Sequence, residues 1–470
     1  MEKRDYTAIM KKLSEEYAKY SPRSATLNRE ACKYMVDGGS HAVRLMEPFP
    51  PRIAAAQGGW LTDEDDHRIL DFWQGHWANI LGHNPPVITS ALSQAFAQGF
   101  GLQTGFPDRL QVETAEILCK RTGHEKVRFT TSGSLATMYA IMLARAFTGR
   151  ELVVKVGGGW HGAQPWGLKG VHFSAAAFEG SDSAGIPKSA ADEVIVTRYN
   201  DPEFLRDQFR RQGDRIACFI LEPCMGAGGG MPATRAYLQT ARDLTHQYGS
   251  VLIFDEIICG FRYRAGDVGS LVGVRPDLAT FAKVIGGGMP IAAVAGRADI
   301  LGLAGHAGGS RVGFSGGTFS AHPACMLAAK VMMSYLIEHE AEIYPRLADL
   351  GEKARRMVEK SFAEEGIYAQ AAGYANDAFP PSSLVRVHFP YSPDQPIMRP
   401  EDALDPAVCD VELSEKVLRV AMLLENVNVM FGLGSLSTAH SESDLAFTSE
   451  AIHRAARRVK RADRITGSTV

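Results

Sequence analysis

The 470-residue sequence predicts an α/β protein in which a large domain, built on a mostly parallel central sheet flanked by helices, is joined to a smaller α+β domain. Apolar strand-like runs alternate with amphipathic helical segments between residues 105 and 345, a pattern typical of strands joined by crossover helices. After residue 346, long helices flank isolated strands instead. We therefore predict an N-terminal arm and part of the small domain in residues 1–104, the large domain in residues 105–345 and the C-terminal part of the small domain in residues 346–470.

The composition is that of an ordinary soluble enzyme, with 45% apolar and 22% charged residues. A net charge of −3 gives no indication of nucleic acid or an anionic membrane as a partner. The seven cysteines are widely spaced and form no CxxC pair, which favours a reducing compartment over a disulfide framework or a zinc site. Because neither a secretion signal nor a membrane-length apolar run is visible, we predict a cytoplasmic protein without membrane or nucleic-acid partners.

The N-terminal part is predicted to begin with an amphipathic helix within residues 1–25, where Ile9, Leu13 and Tyr17 recur at helical spacing. A loop carrying Arg44 follows, and then a strand–turn–strand unit in residues 58–71 with four acidic residues at its turn. A helix is predicted in residues 87–98, which two glycines terminate.

Six strands and three long helices are predicted in the large domain. The strands occupy residues 127–131, 152–156, 194–197, 217–221, 250–254 and 277–282, and the helices residues 135–147, 201–211 and 234–248. Residues 173–192 and 303–314 are predicted to be long loops. In the C-terminal part, a strand is predicted in residues 383–389 and helices in residues 347–363, 411–426 and 444–461, the last with Ser443 as its N-cap.

Two strand ends carry residues that suggest a carbonyl cofactor. Lys283 follows an apolar strand and precedes three glycines and a proline. Burial would lower the pKa of this lysine towards the neutral amine that forms a Schiff base. Asp255 ends a second apolar strand, at the edge where open α/β sheets bind ligands. The pair fits a pyridine aldehyde, with the lysine on the aldehyde and the aspartate on the ring nitrogen; a snorkelling lysine and a helix N-cap are the structural alternatives.

Other strand ends add an anion site and an aromatic side chain. Ser132-Gly133-Ser134 joins a strand to a helix, and Thr318 precedes another helix, so backbone N–H groups and hydroxyls can bind a phosphate there. An ordinary serine N-cap is the alternative. Trp160 can stack on a planar ring or belong to the core, and Glu222 ends a further strand. Because the ends of parallel strands share one edge, we expect these groups to converge.

These stretches occur in the same order as in a known family. They are Thr131-Ser132-Gly133-Ser134, Leu143-Ala144-Arg145-Ala146-Phe147-Thr148-Gly149-Arg150, Trp160-His161-Gly162, Leu221-Glu222-Pro223, Phe254-Asp255-Glu256 with Gly260-Phe261-Arg262, Ala282-Lys283-Val284-Ile285-Gly286-Gly287-Gly288-Met289-Pro290 and Gly317-Thr318-Phe319, with weaker matches at Val43-Arg44, Leu81-Gly82-His83 and Ser437-Thr438-Ala439-His440-Ser441. The set resembles the class III pyridoxal-phosphate (PLP) aminotransferases of fold type I, in the branch of glutamate-1-semialdehyde 2,1-aminomutase.

The resemblance implies PLP as the cofactor and assigns a role to each matching residue. Lys283 resembles the Schiff-base lysine that also moves protons, and Asp255 resembles the partner of the pyridinium nitrogen. The cofactor-binding set implied by the resemblance is Ser132, Gly133, Ser134, Trp160, His161, Glu222, Asp255, Lys283 and Thr318.

The resemblance also implies an assembly and a substrate side. Thr318 resembles a threonine that reaches the phosphate of the neighbouring subunit's cofactor, which implies a homodimer with the active site at the subunit interface. Arg44 lies where the aminomutase binds a substrate carboxylate, and His76 occupies a substrate-side position where tryptophan is usual.

Most departures from the aminomutase pattern lie on the substrate side. His41 replaces a serine, Leu135 a glutamate, Met225 and Ala227 a polar stretch, and Phe431-Gly432-Leu433-Gly434 lacks a glutamate. We therefore expect an aminotransferase that moves an amino group from an amino acid, β-amino acids included, or an amine to a 2-oxo acid by a ping-pong mechanism through a Lys283 Schiff base. A PLP-dependent aminomutase or racemase is the alternative. A dinucleotide-binding oxidoreductase is disfavoured because no GxGxxG follows an early strand, and the retention of Lys283 and Asp255 disfavours a non-catalytic binding protein.

Overall fold

A computed structural model describes residues 5–306 and 311–466, with side chains up to residue 460. In chain order, the elements up to the middle of the chain are α1 (Thr7–Tyr20), α2 (Pro22–Ala31), β1 (Ile53–Gln57), β2 (Trp60–Asp63), β3 (Arg68–Asp71), α3 (Gln74–Trp77), α4 (Pro86–Ala97), α5 (Arg109–Thr122), β4 (Lys126–Thr130), α6 (Gly133–Thr148), β5 (Leu152–Val156), α7 (Lys188–Asp192), β6 (Val194–Thr197), α8 (Pro202–Gln212) and β7 (Ile216–Leu221). The elements that follow are α9 (Arg235–Tyr248), β8 (Val251–Asp255), α10 (Val268–Val272), β9 (Leu278–Phe281), β10 (Ala292–Gly296), α11 (Ala298–Leu301), α12 (Pro323–Glu338), α13 (Glu340–Glu364), β11 (Gln370–Ala372), β12 (Leu384–His388), α14 (Pro400–Leu404), α15 (Leu418–Leu423), β13 (Val427–Asn428), β14 (Gly434–Ser435) and α16 (Glu442–Thr466).

The centre of the molecule is a seven-stranded sheet with the strand order β4-β10-β9-β8-β7-β5-β6. Strands β9, β8, β7, β5 and β6 run parallel, and β10 is antiparallel to both β9 and β4. Strand β4 therefore points the same way as the parallel strands, so the carboxyl ends of β4, β5, β7, β8 and β9 share one edge. The mostly parallel α/β sheet predicted from the sequence is confirmed.

Strand β10 was not predicted, and its composition explains why. Its sequence is Ala-Ala-Val-Ala-Gly, and alanine and glycine are poor strand formers. The strand is buried along its whole length between β4 and β9, where small side chains leave room for α6 to pack. Tertiary packing therefore overrides the local preference.

Two smaller sheets are built from the ends of the chain. One has the order β1-β2-β3-β13 and the other the order β11-β12-β14. The pairing of β3 with β13 joins residue 70 to residue 427. Side chains from both ends share one core, among them Leu13, Phe72, Val358 and Ile452. The sequence-based domain limits at residues 104 and 345 stay a prediction.

The C-terminal helices differ from the prediction in detail. Helix α16 begins at Glu442, one residue before the predicted cap Ser443. Ser441 is the capping residue instead, because its hydroxyl accepts the N–H of Asp444 at 3.3 Å while the Asp444 carboxylate accepts the N–H of Ser441 at 2.8 Å. Residues 413–417 form a π-helical turn before α15. In the predicted loop 303–314, residues 307–310 lie outside the described residues.

Several features are absent from residues 5–306 and 311–466. No helix there is long and apolar enough to cross a bilayer. No three or more His, Cys, Asp or Glu side chains come together in this part of the chain as a metal site would require. The seven cysteines are all free thiols.

A fully buried lysine attaches the segment after β5 to the sheet. Lys155 lies in the middle of β5, and its Nζ donates to the carbonyl oxygens of Gly167 at 3.1 Å and Lys169 at 2.6 Å. Burial lowers its pKa to about 7. Gly167 and Lys169 belong to the same segment as Trp160 and His161. Lys155 therefore stabilises the part of the chain that lies along this edge of the sheet.

We expect Lys155 to make a contribution to stability that grows as the pH rises from 7 towards 10, and we expect Lys155→Met to remove that contribution. Between about 7, the pKa of Lys155 in the folded protein, and 10.5, its ordinary value, this side chain binds a proton in the unfolded chain but not in the folded protein. The contribution of Lys155 to the free energy of unfolding therefore increases with pH in this window, whereas the raised pKa values of buried cysteines such as Cys218 act in the opposite direction, so the difference between wild type and variant is the informative quantity. Melting temperatures across the window measure the effect.

Lys169→Met is the matched control, because Lys169 also donates to two backbone carbonyls, at 3.1 and 2.8 Å, but is only partly buried. The expectation fails if wild type and Lys155→Met show the same change in melting temperature across the window.

Candidate active site

The carboxylate of Asp255 occupies the carboxyl end of β8 and is bonded by three donors. Oδ1 accepts the Thr280 hydroxyl at 3.1 Å and the Ile257 N–H at 3.2 Å. Oδ2 lies 2.8 Å from Nδ1 of His161. These three donors come from three different segments of the chain. Together they hold the carboxylate in one orientation at the edge of the sheet.

Lys283 stands two residues beyond the end of β9, on the neighbouring strand. Its backbone has φ +48°, in the left-handed region that non-glycine residues rarely adopt. Burial lowers the pKa of its amine, and the nearby carboxylates of Asp255 and Glu222 partly offset that change. Among the described residues, Nζ has no hydrogen-bond or ion-pair partner. The amine is therefore shifted towards the neutral, nucleophilic form.

Glu222 directly follows β7 and is held by two backbone donors. Oε1 accepts the N–H of Trp160 at 3.0 Å, and Oε2 accepts the N–H of Gly226 at 2.9 Å. Burial raises the pKa of this carboxyl group, the Asp255 charge raises it further and His161 opposes both. The bonds join the segment after β5 to the loop after β7.

His161 carries an unmet polar atom. Its Nε2 is buried and has no hydrogen-bond partner in the part of the chain that the structure describes. Its other ring nitrogen bonds Asp255, and its carbonyl accepts the Thr137 hydroxyl at 2.6 Å. An orphaned polar atom beside a fixed carboxylate and a reactive amine fits a site built around a polar ring cofactor.

The start of α6 forms a cradle for an anion. Ser132 is its N-cap, with Oγ accepting the Leu135 N–H at 3.4 Å, and the Ser134 hydroxyl accepts the N–H of Ala163 at 3.2 Å. A Cβ on Gly133 would lie 2.6 Å from the terminal methyl group of Ile257, so a larger residue there would require the Ile257 side chain to move. Free N–H groups and the helix dipole make this helix start suited to a phosphate.

Trp160 and Thr318 lie at the margin of this group. Trp160 is 38% exposed and directly precedes His161, so its ring borders the sheet edge. Thr318 is exposed, and its carbonyl accepts Nε2 of Gln103 at 2.7 Å. Within one chain, no hydrogen bond of the described residues links Thr318 to Ser132, Gly133 or Ser134.

The substrate-side residues meet at a turn of inverted handedness. Gln74–Trp77 has φ values of 47°, 61°, 63° and 63°, so all four residues are left-handed. His76 in this turn stacks on Trp73 at 4.4 Å and meets the edge of His41 at 4.6 Å. Burial lowers the pKa of His76 to about 3, and the charges of His41, Arg44 and Lys283 contribute. His76 is thus a neutral ring within the fields of both Arg44 and Lys283.

The left-handed turn is costly and is held by a buried network. Left-handed residues other than glycine cost roughly 1–2 kcal/mol each. Asp71 caps the turn by accepting the N–H groups of Trp73 and Gln74, each at 2.9 Å. His83 bonds the same carboxylate at 2.7 Å, and Arg262 donates to the carbonyl of Trp77. His440 also reaches the carbonyl of Asp71, at 3.2 Å. The residues of the weak sequence matches around His83 and His440 therefore support the left-handed turn.

Sequence reasoning missed this network and the buried arginines that join distant parts of the chain. Arg262 was noted only as part of a motif, yet it also donates to Ser383 and Ser435 at 3.3 and 3.1 Å. The contacts of Arg262 with Trp77, Ser383 and Ser435 join residues more than a hundred positions apart, so no local pattern reveals them. The one available signal was ionisable residues inside apolar segments, as in β12.

Comparison with known proteins identifies the family. The family profile described as aminotransferase class-III matches residues 43–365. A glutamate-1-semialdehyde 2,1-aminomutase of Thermoplasma acidophilum is 35% identical over 338 residues, which make up 72% of this chain and 78% of that enzyme. A transaminase solved with PLP bound has a TM-score of 0.83 at 28% identity, with 94% of this chain and 99% of that one covered. A β-phenylalanine aminotransferase from Variovorax paradoxus has a TM-score of 0.81 at 29% identity, with coverages of 94% and 96%.

The matched residues run from the Arg44 turn to the end of α13, and so include the sheet edge with Lys283, Asp255 and the start of α6. The predictions of fold type I, of PLP as the cofactor and of a class III resemblance are confirmed. The chain belongs to the class III aminotransferases and is a PLP-dependent transaminase.

Proposed function

We propose that the enzyme takes the amino group from a donor that bears a carboxylate, β-amino acids included, and passes it to a 2-oxo acid at the same site. The observation that carries the proposal is the position of His76, whose ring meets that of His41, three residues before Arg44, at 4.6 Å, and whose pKa is lowered by the charges of both Arg44 and Lys283. A substrate between the two would have its nitrogen at the lysine and its carboxylate at the arginine. Similarity to a β-phenylalanine aminotransferase supports β-amino acids as donors.

The chain's own residues would divide the work around the cofactor. PLP, when bound, stores the electron pair released at the substrate carbon and carries the amino group between the two half-reactions. Lys283 would hold the cofactor covalently at rest and, once displaced, move a proton at its Nζ, which its lowered pKa favours. Asp255 would keep the ring nitrogen protonated. Ser132, Gly133 and Ser134 would bind the phosphate.

The remaining cofactor-side residues would fix the ring. Trp160 would cover one face, since its side chain borders the edge and its N–H is tied to Glu222. His161 would orient the Asp255 carboxylate through the 2.8 Å contact at Nδ1. Glu222 would stabilise the positive charge near Lys283 from the far side of the site.

On the substrate side, Arg44 would supply a positive charge, and the uncharged ring of His76 would contribute to the shape of the site. Because the pKa of His76 lies near 3, its ring is uncharged at neutral pH and can recognise a substrate only by hydrogen bonding and stacking. Arg44 is exposed on the Ala42–Arg44 turn and, with His41, lines a cleft of about 740 Å³ that neither His76 nor Lys283 lines. We infer that the site prefers donors with one carboxylate and an apolar or aromatic remainder.

The alternative is an aminomutase, which the 35% identity to a glutamate-1-semialdehyde 2,1-aminomutase favours. One position in the sequence argues against an aminomutase. Gly432 stands where the aminomutase pattern has a glutamate, and a Cβ there would lie 2.5 Å from the Cβ of Val387. The backbone therefore leaves no room for a side chain at this position, and we infer transamination rather than an intramolecular amino shift.

We further propose a homodimer whose two sites lie at the subunit interface. Three large apolar side chains near Thr318 are strongly exposed, namely Leu102 at 72%, Phe106 at 79% and Phe319 at 61%. Exposed apolar groups of this size are typical of a surface that a partner covers. A second copy on this surface would bring Thr318 to the neighbouring cofactor.

A half-reaction experiment tests the amino transfer. Mixed with a β-amino acid and no 2-oxo acid, the holoenzyme should lose its visible cofactor absorbance and release one equivalent of oxo acid per subunit. A 2-oxo acid should then restore the absorbance. Lys283→Ala should fold but not turn over. Absorbance that returns unaided, with no oxo acid formed, would contradict transamination and support a mutase or racemase.

Arg44→Ala should raise KM for amino acid donors by about ten- to a hundredfold, the loss expected for a charge-assisted hydrogen bond. KM for an amine without a carboxylate should stay nearly constant. The control is Arg52→Ala, because Arg52 lines the same cleft but donates to Asn28 and to the carbonyl of Gly38. Equal effects on amines and amino acids would make Arg44 a structural residue.

Subunit mixing tests the position of Thr318. Thr318→Asp places a negative charge where a phosphate would bind, and Lys283→Ala removes the lysine, so each homodimer should be inactive. If Thr318 serves the neighbouring site, hybrid dimers contain one intact site, and an equal mixture recovers about a quarter of wild-type activity. No recovery, in hybrids whose formation is confirmed by native mass spectrometry, would place Thr318 in its own subunit's site, and an active Thr318→Asp homodimer would place it in neither site.

A further inference from the structure

Arg386 is a buried cation between the large sheet and the C-terminal segment. It lies in β12, is 4% exposed and has no part in the proposed chemistry. One end of its guanidinium donates to the carbonyls of Gly226, at 3.4 Å, and Ala227. Nη2 lies 3.4 Å from Glu415. The guanidinium also covers the ring of Phe431, at 4.3 Å from its centroid.

The carbonyls that Arg386 binds belong to the loop after β7. Residues 226–230 of this loop contain four glycines, which have more backbone freedom to lose than any other residue. Gly226 connects the arginine to the site, because its N–H donates to Glu222 at 2.9 Å while its carbonyl accepts from Arg386. Arg386 therefore helps to fix the donor that orients the Glu222 carboxylate.

The ring that Arg386 covers leads to the substrate side. Phe431 meets the edge of Trp77, with centroids 5.8 Å apart and planes at 67°. Trp77 is the last residue of the left-handed turn that contains His76. A change in the position of Phe431 is thus transmitted to the residue next to His76.

We infer that Arg386 is a positioning residue that holds both sides of the active site at once, the Glu222 loop through hydrogen bonds and the His76 turn through Phe431 and Trp77. A planar guanidinium can donate in its own plane while its face lies on an aromatic ring. A lysine donates from a single nitrogen atom and has no planar group that could lie on an aromatic ring. The inference rests on the proposed roles of Glu222 and His76 for its effect on turnover, but not for its effect on structure.

Amide hydrogen exchange on Arg386→Met, Arg386→Lys and His388→Phe tests this inference. His388 is the matched control, because it lies two residues further along β12 and its Nε2 donates to the carbonyl of Gly229, at 2.8 Å, in the same loop. Within the described part of the chain, no hydrogen bond, ion pair or ring contact joins His388 to Phe431 or to Gly226. All variants are measured first without substrate, so that the readout is independent of activity.

Arg386→Met should exchange faster in two segments, residues 223–232 and residues 74–79, whereas His388→Phe should affect only the first. Arg386→Lys should recover protection in residues 223–232 and not in residues 74–79, because the ammonium can bond a carbonyl but cannot cover the ring. In turnover, Arg386→Met should lower kcat by about tenfold and raise the donor KM, and His388→Phe should leave both within about twofold.

The inference is overturned if Arg386→Met leaves exchange in residues 74–79 at the wild-type rate, or if His388→Phe accelerates it equally. If Arg386→Met does not fold, Arg386→Lys decides the matter by the same comparison of the two segments. Altered exchange in both segments together with unchanged kcat and KM would sustain the mechanical link and remove only the proposed roles of Glu222 and His76.

Discussion

The register between β8 and β9 determines the chemistry of the sheet edge. Asp255 is paired with Thr280, and the threonine hydroxyl donates to the aspartate carboxylate across the two strands. Lys283 follows Thr280 by three residues, just beyond the end of β9. A slip of one residue would turn Thr280 to the other face, remove one of the donors that stabilise a buried charge and displace the amine. Strand pairing therefore sets the relation of carboxylate and amine before any cofactor is bound.

The buried groups around this pair influence one another electrostatically. His161 opposes the rise in the pKa of Glu222, and the carboxylates of Asp255 and Glu222 offset part of the cost of keeping a cation at Lys283. An isolated charge at any of these positions would be expensive in the low dielectric of the interior. Replacing His161 or Asp255 therefore changes the proton affinity of Glu222, and replacing either carboxylate changes that of Lys283.

The cofactor side could be predicted from the sequence because its signals are local. Each strand end is marked by an apolar run followed by a polar residue, and the order of strands fixes their common edge. The substrate side could not be predicted in the same way. Its geometry depends on the pairing of β3 with β13, on contacts such as Asp71 with His440, 369 positions apart, and on Arg386, which lies in a strand where only apolar residues are expected. Strand β10 and the cap at Ser441 were missed for smaller reasons, weak propensity in one case and two neighbouring serines in the other.

The inverted handedness of Gln74–Trp77 has a consequence for how the enzyme can diversify. Side chains on a left-handed turn project in directions that no right-handed turn of the same length reproduces. The path of the backbone is set by Asp71, His83 and Arg262, none of which depends on the identity of residue 76. Residue 76 can therefore be exchanged for another side chain while the frame around it stays in place. An insertion or deletion, in contrast, would disrupt the hydrogen bonds that define the whole turn. This part of the pocket can therefore change its side chains but not its number of residues.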